Sequence, residues 1–405
     1  MTLTDSLTTR TGSPRLPLVV PLLAVGTFLM ITTEFIVAGL IQEMASDLGV
    51  GVAQIGLLIT AFAVGMIVGA PGMAVVTLRL PRRATLVAAL AVFALGHVVA
   101  ALSTSFAVVL AARVLTALVT GAFWAVASVV ATKAAGPAAS SRALGVMMSG
   151  VGLATVAGVP LGSWLGQSIG WRGAFWAIAV LATVAAIVIG RFAPADEKGE
   201  TASVLSELNA LRDGRTWLLF GATALISGAV MATFSFISPL LTDRTGLPGW
   251  AVPLVLAGFG VGALIGTNAG GRFGDRRPVR TFVVAALIAG VVLLLLIPLS
   301  ALAAVTVVLV FLLGISGMAI PPVATGMAVA FARNAPTLAA ALAVSAFNAG
   351  TAVGSVTAGE ALKSDLGAIG PAVVSVVMVV LGLIPLVVLA AKQARRDRPT
   401  LDTAS

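Results

Sequence analysis

Cysteine is absent from the 405 residues, histidine occurs once, and charged residues make up only 10%. Without Cys there is no disulfide framework, no thiolate nucleophile and no Cys metal site. One His and no His/Asp/Glu cluster leave a metal without ligands, so neither metal nor cofactor is expected. No Gly-x4-Gly-Lys-Ser/Thr phosphate loop occurs. No Ser/His or paired-Asp arrangement falls in the apolar stretches, and an enzyme is not expected. Every polar stretch is too short for a sensory or signalling domain, which argues against a receptor. A soluble domain of this size could not cover its surface with so few charges.

What fills the chain is apolar: 59% of residues are hydrophobic, and the mean hydropathy is +1.11. The apolar residues fall into blocks long enough for a hydrocarbon core, which takes roughly 20 residues at about 1.5 Å each. The blocks predict an all-α integral membrane fold of twelve transmembrane helices, at 18–42, 52–76, 84–103, 107–132, 142–168, 173–192, 216–241, 250–271, 281–299, 302–330, 336–360 and 369–391. The ninth and tenth spans are separated by little that is polar, near Leu299–Ala304. The polar start through Arg15 and the long, weakly bounded first span do not read as a cleavable signal peptide.

The net charge of +9 would suggest nucleic acid in a soluble protein. Here the basic residues sit in short loops, and no nucleic-acid partner is expected. With the N-terminus inside, the cytoplasmic segments hold Arg10 and Arg15; Arg79, Arg82 and Arg83; Lys133 and Arg142; Arg191, Lys198, Arg212 and Arg215; Arg272, Arg276, Arg277 and Arg280; Arg333; and Lys392, Arg395, Arg396 and Arg398. Arg172, Arg244 and Lys363 fall outside, and Arg113 falls within a span. Dropping one span would reverse every later loop, so the positive-inside rule supports an even count, with both termini cytoplasmic in the inner cell membrane.

Ala193–Arg215 is the long polar interruption. It divides the chain into a six-helix half at 1–192, a cytoplasmic linker at 193–215, a second six-helix half at 216–391 and a tail at 392–405. Val204, Leu205, Leu208 and Leu211 recur at helical spacing and predict a short amphipathic helix on the membrane surface. Each half has an Arg-rich loop between its second and third spans, Arg79–Arg83 and Arg272–Arg280, and Gly-rich second and fifth spans. Two pseudo-symmetric halves are the architecture of secondary transporters, with the substrate site between them near the midplane. A monomer in the lipid bilayer, handling a small molecule and protons, is expected.

Small residues recur every four positions on four helices: Ala61, Gly65 and Gly69; Gly150, Ala154, Gly158, Gly162 and Gly166; Gly258, Gly262, Gly266 and Gly270; Ala346, Gly350, Gly354 and Ala358. Such stripes let helix backbones approach closely in lipid. Spans 2, 5, 8 and 11 are equivalent under a two-half repeat, which predicts that these stripes form the sliding contact between halves. The alternative is plain Gly/Ala richness. Pro160 predicts a kink in span 5.

The loop Gly271-Arg-Phe-Gly-Asp275-Arg276-Arg-Pro-Val-Arg280, the stretch Arg113-Val-Leu-Thr-Ala-Leu-Val-Thr-Gly121, and Gly158-Val-Pro160-Leu-Gly162 followed by Gly170-Trp171-Arg172 occur in that relation to the spans. Together they resemble the major facilitator superfamily, and within it the twelve-span drug:proton antiporters. The first-half loop departs from the pattern: Ala74 and Leu78 stand where Gly and Asp are wanted, though Arg79, Arg82 and Arg83 remain. Thr33-Glu34-Phe35-Ile-Val-Ala-Gly39 with Gly69-Ala-Pro71 most resembles the chloramphenicol-resistance and arabinose-type efflux branch. The resemblance implies a loop latch at Gly271, Asp275, Arg276 and Arg280, a proton-coupling role near Arg113, and export of chloramphenicol-like drugs. The runner-up is a sugar or metabolite exporter; a facilitator without coupling leaves Glu34 unexplained.

Glu34 and Arg113 are the ionisable groups well inside the spans, apart from His97. Intramembrane charges are costly and mark function. Glu34 lies about 24 Å along span 1 and Arg113 about 9 Å from the outer end of span 4, so both fall in the outer half. Burial disfavours a carboxylate's charged form and a neighbouring Arg favours it. Glu34 is therefore the expected proton carrier, with Arg113 setting its pKa and orienting polar groups; the alternative is a static pair that fixes packing. His97 reads first as a hydrogen-bonded packing residue, and Glu43, Asp47 and Glu360 read as solvated rim charges. Thr33, Phe123, Trp124, Phe234, Phe236 and Asn348 are the candidates for the cavity, which should be mostly apolar with a few polar groups. Arg113, Ala117, Gly121 and Ala125 share a face that should leave room beside the Arg.

Overall fold

The computed structural model describes residues 16–77, 80–136, 139–193, 213–332 and 336–396. Arg10, Arg15, Arg79, Lys198, Arg212, Arg333, Arg398, the amphipathic stretch Val204–Leu211 and the tail beyond Arg396 lie outside the described residues.

Among the described residues twelve helices are long and apolar enough to cross a membrane. Spans 1–6 are Val19–Gly39, Val52–Thr77, Arg82–Leu102, Phe106–Ala135, Arg142–Ile169 and Trp171–Phe192. Spans 7–12 are Gly214–Ser235, Gly249–Arg276, Pro278–Leu299, Ala303–Phe331, Leu338–Lys363 and Gly367–Gln393. The weakly marked junction between spans 9 and 10 is a break at Ser300–Leu302. Val284, Leu287, Ile288, Val291 and Leu294 of span 9 are exposed on one face, where lipid rather than water is the compatible solvent. The even count brings the described chain's start and end to one face, the near face; the opposite one is the far face.

Local chemistry explains where helices bend or stop. Gly170 joins spans 5 and 6 with φ +84°, a backbone conformation that side-chain-bearing residues rarely adopt. Pro160 cannot donate to the carbonyl four residues back. Just ahead of it the helix runs as a π turn at Ala154–Gly158.

Spans 1 and 7 break at matching places. Leu40 (φ −121°, ψ 12°) and Phe236 (φ −116°, ψ 31°) both leave helical geometry. Each closes back by an N–H to the carbonyl three residues earlier, Leu40 to Val37 at 3.1 Å and Phe236 to Thr233 at 3.3 Å. Each carbonyl then accepts the N–H four residues on, from Met44 and Leu240. The causes differ. Pro239 has no N–H for the carbonyl of Ser235, whereas the carbonyl of Gly39 is taken by Ser163 Oγ at 2.9 Å. Beyond Leu40 a short helix, Ile41–Leu48, turns along the far face and ends at Gly49, φ +64°.

Span 2 packs along span 11 and span 5 along span 8, joining the first six helices to the last six. The glycine stripes, however, face elsewhere. Gly65 and Gly69 lie on Ala117 and Leu118 of span 4, and Gly158 and Gly162 on Thr32 and Ile36 of span 1. Gly262 meets Phe311 of span 10; Gly350 and Gly354 meet Ala224 and Gly228 of span 7; no atom lies within 4 Å of a Cβ at Gly258. The four helices do join the halves as expected, but the glycines of their stripes face partners within each half rather than across the boundary. Two interlocked helices must approach most closely where they stay together, and that is where small residues matter. Pro160 is buried in the same region as Gly158. The halves touch instead through Gly260 against the backbone of Thr155, Gly152 against Leu264, and Gly56 against Phe236. Ser345 Oγ donates to the Ile67 carbonyl (3.0 Å) and Ser355 Oγ to that of Gly56 (3.1 Å).

Candidate functional site

A cavity lies where spans 1, 2, 7 and 11 converge. Its walls are Glu34, Phe35 and Ala38 of span 1, Ile59, Phe62 and Ala63 of span 2, Met231, Phe234 and Ser235 of span 7, and Asn348 and Thr351 of span 11. Spans 1 and 2 belong to the first half and spans 7 and 11 to the second, so the cavity is shared by both. Its volume is about 10 Å³, room for roughly one water molecule. A drug-sized ligand needs several hundred Å³, of order 300 or more. The site is closed in this conformation and must widen to hold a substrate.

Glu34 is the charged group on this wall. Among the described residues, no ion pair engages its carboxylate. Arg113 approaches it from behind. Its guanidinium donates to backbone carbonyls on two helices: Thr33 at 2.9 Å, Glu34 at 3.4 Å and Leu58 at 3.5 Å. It also stacks 4.5 Å from the ring of Phe62, which lines the cavity, while Arg113 itself does not. The alternative of a static Glu34–Arg113 pair is not what forms; Arg113 is a staple from span 4 to the backbones of spans 1 and 2. A buried guanidinium needs hydrogen bonds, and the helix carbonyls beside it supply them.

Thr33 is fully buried, and its hydroxyl meets His97 Nε2 at 2.9 Å, facing away from the cavity. His97 Nδ1 lies 2.7 Å from the Phe93 carbonyl. That carbonyl can only accept, so Nδ1 carries a proton. The ring lies between Phe93 and Phe175, at 4.4 and 5.4 Å, as expected of a packing residue.

Of the expected cavity residues, Glu34, Phe234 and Asn348 line the wall. Phe234 sits among Phe35 (5.8 Å, edge-on) and Phe259 (4.5 Å), and Asn348 Nδ2 donates to the Val344 carbonyl at 3.0 Å. Thr33, Phe123, Trp124 and Phe236 do not line it. Phe123 fills the space above Gly26, and Phe236 packs on Gly56 and Gly359. Trp124 is half-buried on span 4, a helix one layer behind the cavity. The face of Arg113, Ala117 and Gly121 leaves no room either, because Ala117 and Gly121 meet Gly65 and Gly69 of span 2. Phe35, Ala38, Ile59, Phe62, Ala63, Met231, Ser235 and Thr351 were not foreseen. Phe35 had a signal: it is the aromatic neighbour of the buried Glu34.

At the near face, Gly271, Asp275, Arg276 and Arg280 lie at the end of span 8 and the start of span 9, with Asp275, Arg276 and Arg280 exposed. Among the described residues no ion pair includes Asp275. Arg82 and Arg83 begin span 3 and are half-buried. At the far face Glu360 pairs with Lys363 at 2.7 Å, both exposed, as read from sequence. Asp47 is not a free rim charge: it pairs with Arg172 and accepts from Trp171 Nε1 at 2.7 Å. Glu43 is half-buried, and its Oε2 is buried without a hydrogen-bond partner.

The family profile described as Major Facilitator Superfamily matches residues 23–359. A chloramphenicol resistance protein of Streptomyces lividans is 39% identical over 91% of this chain and 95% of its own length. The inner membrane transport protein YdhP of Escherichia coli K12 is 33% identical over 85% of this chain and 89% of its own. Among solved structures, a bacterial homolog of the human lysosomal transporter Spinster, inward-facing and unoccupied, superposes with a TM-score of 0.75. It shares 17% identity and covers 95% of this chain and 98% of its own.

Proposed function

The chain belongs to the Major Facilitator Superfamily, and we propose that it is a proton-coupled exporter of small, moderately lipophilic compounds of the chloramphenicol type. The observation that carries this reading is the unpaired carboxylate of Glu34 on an aromatic wall shared by both halves. A carboxylate without a fixed cation partner is free to exchange a proton as its surroundings wet and dry. Phe35, Phe62 and Phe234 offer faces to an aryl group, and Asn348, Ser235 and Thr351 offer an amide and hydroxyls to polar substituents.

Transport proceeds by alternating access, with the six-helix units at 1–192 and 216–391 rocking about the shared cavity and the segment 193–215 linking them. The near face is cytoplasmic, in line with the basic loops, the protein works as a monomer in the inner membrane, and the Asp275 loop latches that face. A proton taken up by Glu34 and a substrate bound beside it occupy the cavity in alternation. Arg113 holds the backbone of Thr33 and Glu34 so that the carboxylate faces the cavity.

The three polar wall residues favour a second reading, export of a sugar or related metabolite. One experiment separates them. Purified protein in liposomes with an imposed pH gradient is expected to accumulate labelled chloramphenicol, and collapsing the gradient should abolish accumulation. Movement of arabinose without movement of chloramphenicol overturns the substrate assignment, and chloramphenicol movement indifferent to the gradient overturns the coupling.

A further inference from the structure

Two glutamine side chains of the first half reach the second half at the far face. Gln42, on the short helix after span 1, donates through Nε2 to Thr242 Oγ1 at 2.8 Å and Asp243 Oδ1 at 3.3 Å, beyond span 7. Gln167, at the end of span 5, donates to the Gly249 carbonyl at the start of span 8, at 3.2 Å. These bonds tie spans 1 to 7 and 5 to 8 across the boundary that must open for release on that side.

Glu43 sits between the two ties. It follows Gln42 in sequence, and Gln167 is the neighbouring side chain that opposes the effect of its burial. Its Oε2 is buried with no hydrogen-bond partner. An ionised carboxylate is acceptor-only and wants several donors, whereas a neutral carboxyl needs fewer. The charged groups around it do not supply the deficit. Span 2 carries no charged residue in Val52–Thr77, and span 5 none between Arg142 and Arg172. Asp47 and Arg172 pair with each other. Asp243 accepts from Gln42 and Thr242, and Asp243 and Arg244 are exposed. Among the described residues no ion pair includes Glu43 or Arg244.

We propose that Glu43 is a second protonation site, separate from the central cavity, and that its proton locks the far face closed. In the closed state the seam is drier and the neutral carboxyl fits it. Opening the seam parts the two glutamine ties, exposes Glu43 to water on the far side, and lets it release the proton there. Closing takes the proton back from the same water. Burial raises Glu43 above the ordinary carboxylate range in the closed state, against the opposing effects of its own backbone hydrogen bond and of Gln167. The sign follows by linkage: closure is favoured below the solvated carboxylate's value and is lost as pH rises through the raised one. The inference rests on alternating access but not on the identity of the substrate or on Glu34.

The chain has no cysteine, so paired labels can be introduced without background. Ser46 and Ser364 are exposed at the far face, one in each half. Spin labels on Ser46→Cys and Ser364→Cys, with the full chain in lipid nanodiscs, report opening as a lengthened distance by double electron–electron resonance. The short-distance population should fall as pH rises. In Glu43→Gln, and in Glu43→Ala as a second variant, it should lose that pH dependence, with Glu43→Gln remaining short throughout. In Glu34→Gln the far-face curve should persist. A pH curve in Glu43→Gln that matches the parent overturns the proposal, as does a parent with no pH dependence, or a dependence abolished by Glu34→Gln alone. Loss of chloramphenicol transport with an intact distance curve would sink the functional reading and leave this one standing.

Discussion

The two halves share a backbone plan and differ in what they bury. Both hinge their first helix near the far face, at Leu40 and Phe236, with the same hydrogen-bond closure. Both run a glycine seam from their fifth helix onto their first. Yet among the described residues the ionisable groups well inside the spans, Glu34, His97 and Arg113, all belong to the first half. The second half buries hydroxyls and an amide, among them Thr233, Ser235, Asn348 and Ser375. Duplicated architecture supplies two faces that meet across the cavity, and the proton coupling proposed above needs charge in one of them alone. One side can then titrate while the other keeps its internal packing, because desolvation penalties change with wetting far more for a charge than for a hydroxyl.

The largest expected effect comes from erasing this asymmetry. Glu34→Gln removes the proposed proton carrier while keeping its shape. Accumulation driven by a pH gradient should fall to the level of empty liposomes, while binding measured by tryptophan quenching persists. Gradient-driven accumulation equal to the parent's would show that the charged half is not the coupled half.

The seams offer the next comparison, because the equivalent glycines have different neighbours. A Cβ at Gly354 would meet the Gly228 carbonyl oxygen at 2.5 Å, whereas one at Gly162 meets the end of the Ile36 side chain. Backbone cannot yield and a side-chain tip can. Gly354→Ala should cost about 1–3 kcal/mol, and Gly162→Ala less than about 1 kcal/mol, read as the drop in melting temperature in detergent. Equal losses would mean that the two seams are equally stiff.

The smallest effect tests the neutral half. Thr233 and Ser375 join spans 7 and 12 by a hydroxyl pair at 2.8 Å, and Ser375 also reaches the Ala229 carbonyl at 2.6 Å. Thr233→Val should lower stability by only about 0.6 kcal/mol, with the pH dependence of transport unchanged. A shifted pH profile would reveal coupling in the half without buried charge.

The twelve spans were legible because apolar length is a one-dimensional property, and the structure moved their ends by only a few residues. Glu34 was legible for a related reason: a carboxylate inside such a run has few structural uses. Facing was harder. The stripe Gly158–Gly162 shows that something packs closely, but not whether the neighbour is span 1 or span 8. The cavity face of span 1 runs over Glu34, Phe35 and Ala38, and with about 100° between successive residues Thr33 falls on the other side of Glu34, where it meets His97. Phe123 and Trp124 lie on a helix whose layer in the bundle hydropathy does not encode. The partner of Arg113 was missed because carbonyls carry no sequence signature, while a carboxylate does.

The breaks at Leu40 and Phe236 also divide the protein into regions of unequal local stability. Each interrupts the helical hydrogen-bond ladder, so the segments Ile41–Leu48 and Ile237–Arg244 are cooperative units apart from the long helices that precede them. Such units open at a lower free-energy cost than the body of the bundle. Their amides should exchange with deuterated water well before those of Val19–Gly39 and Gly214–Ser235, so the protein can loosen its far rim many times without melting the helices that enclose the cavity.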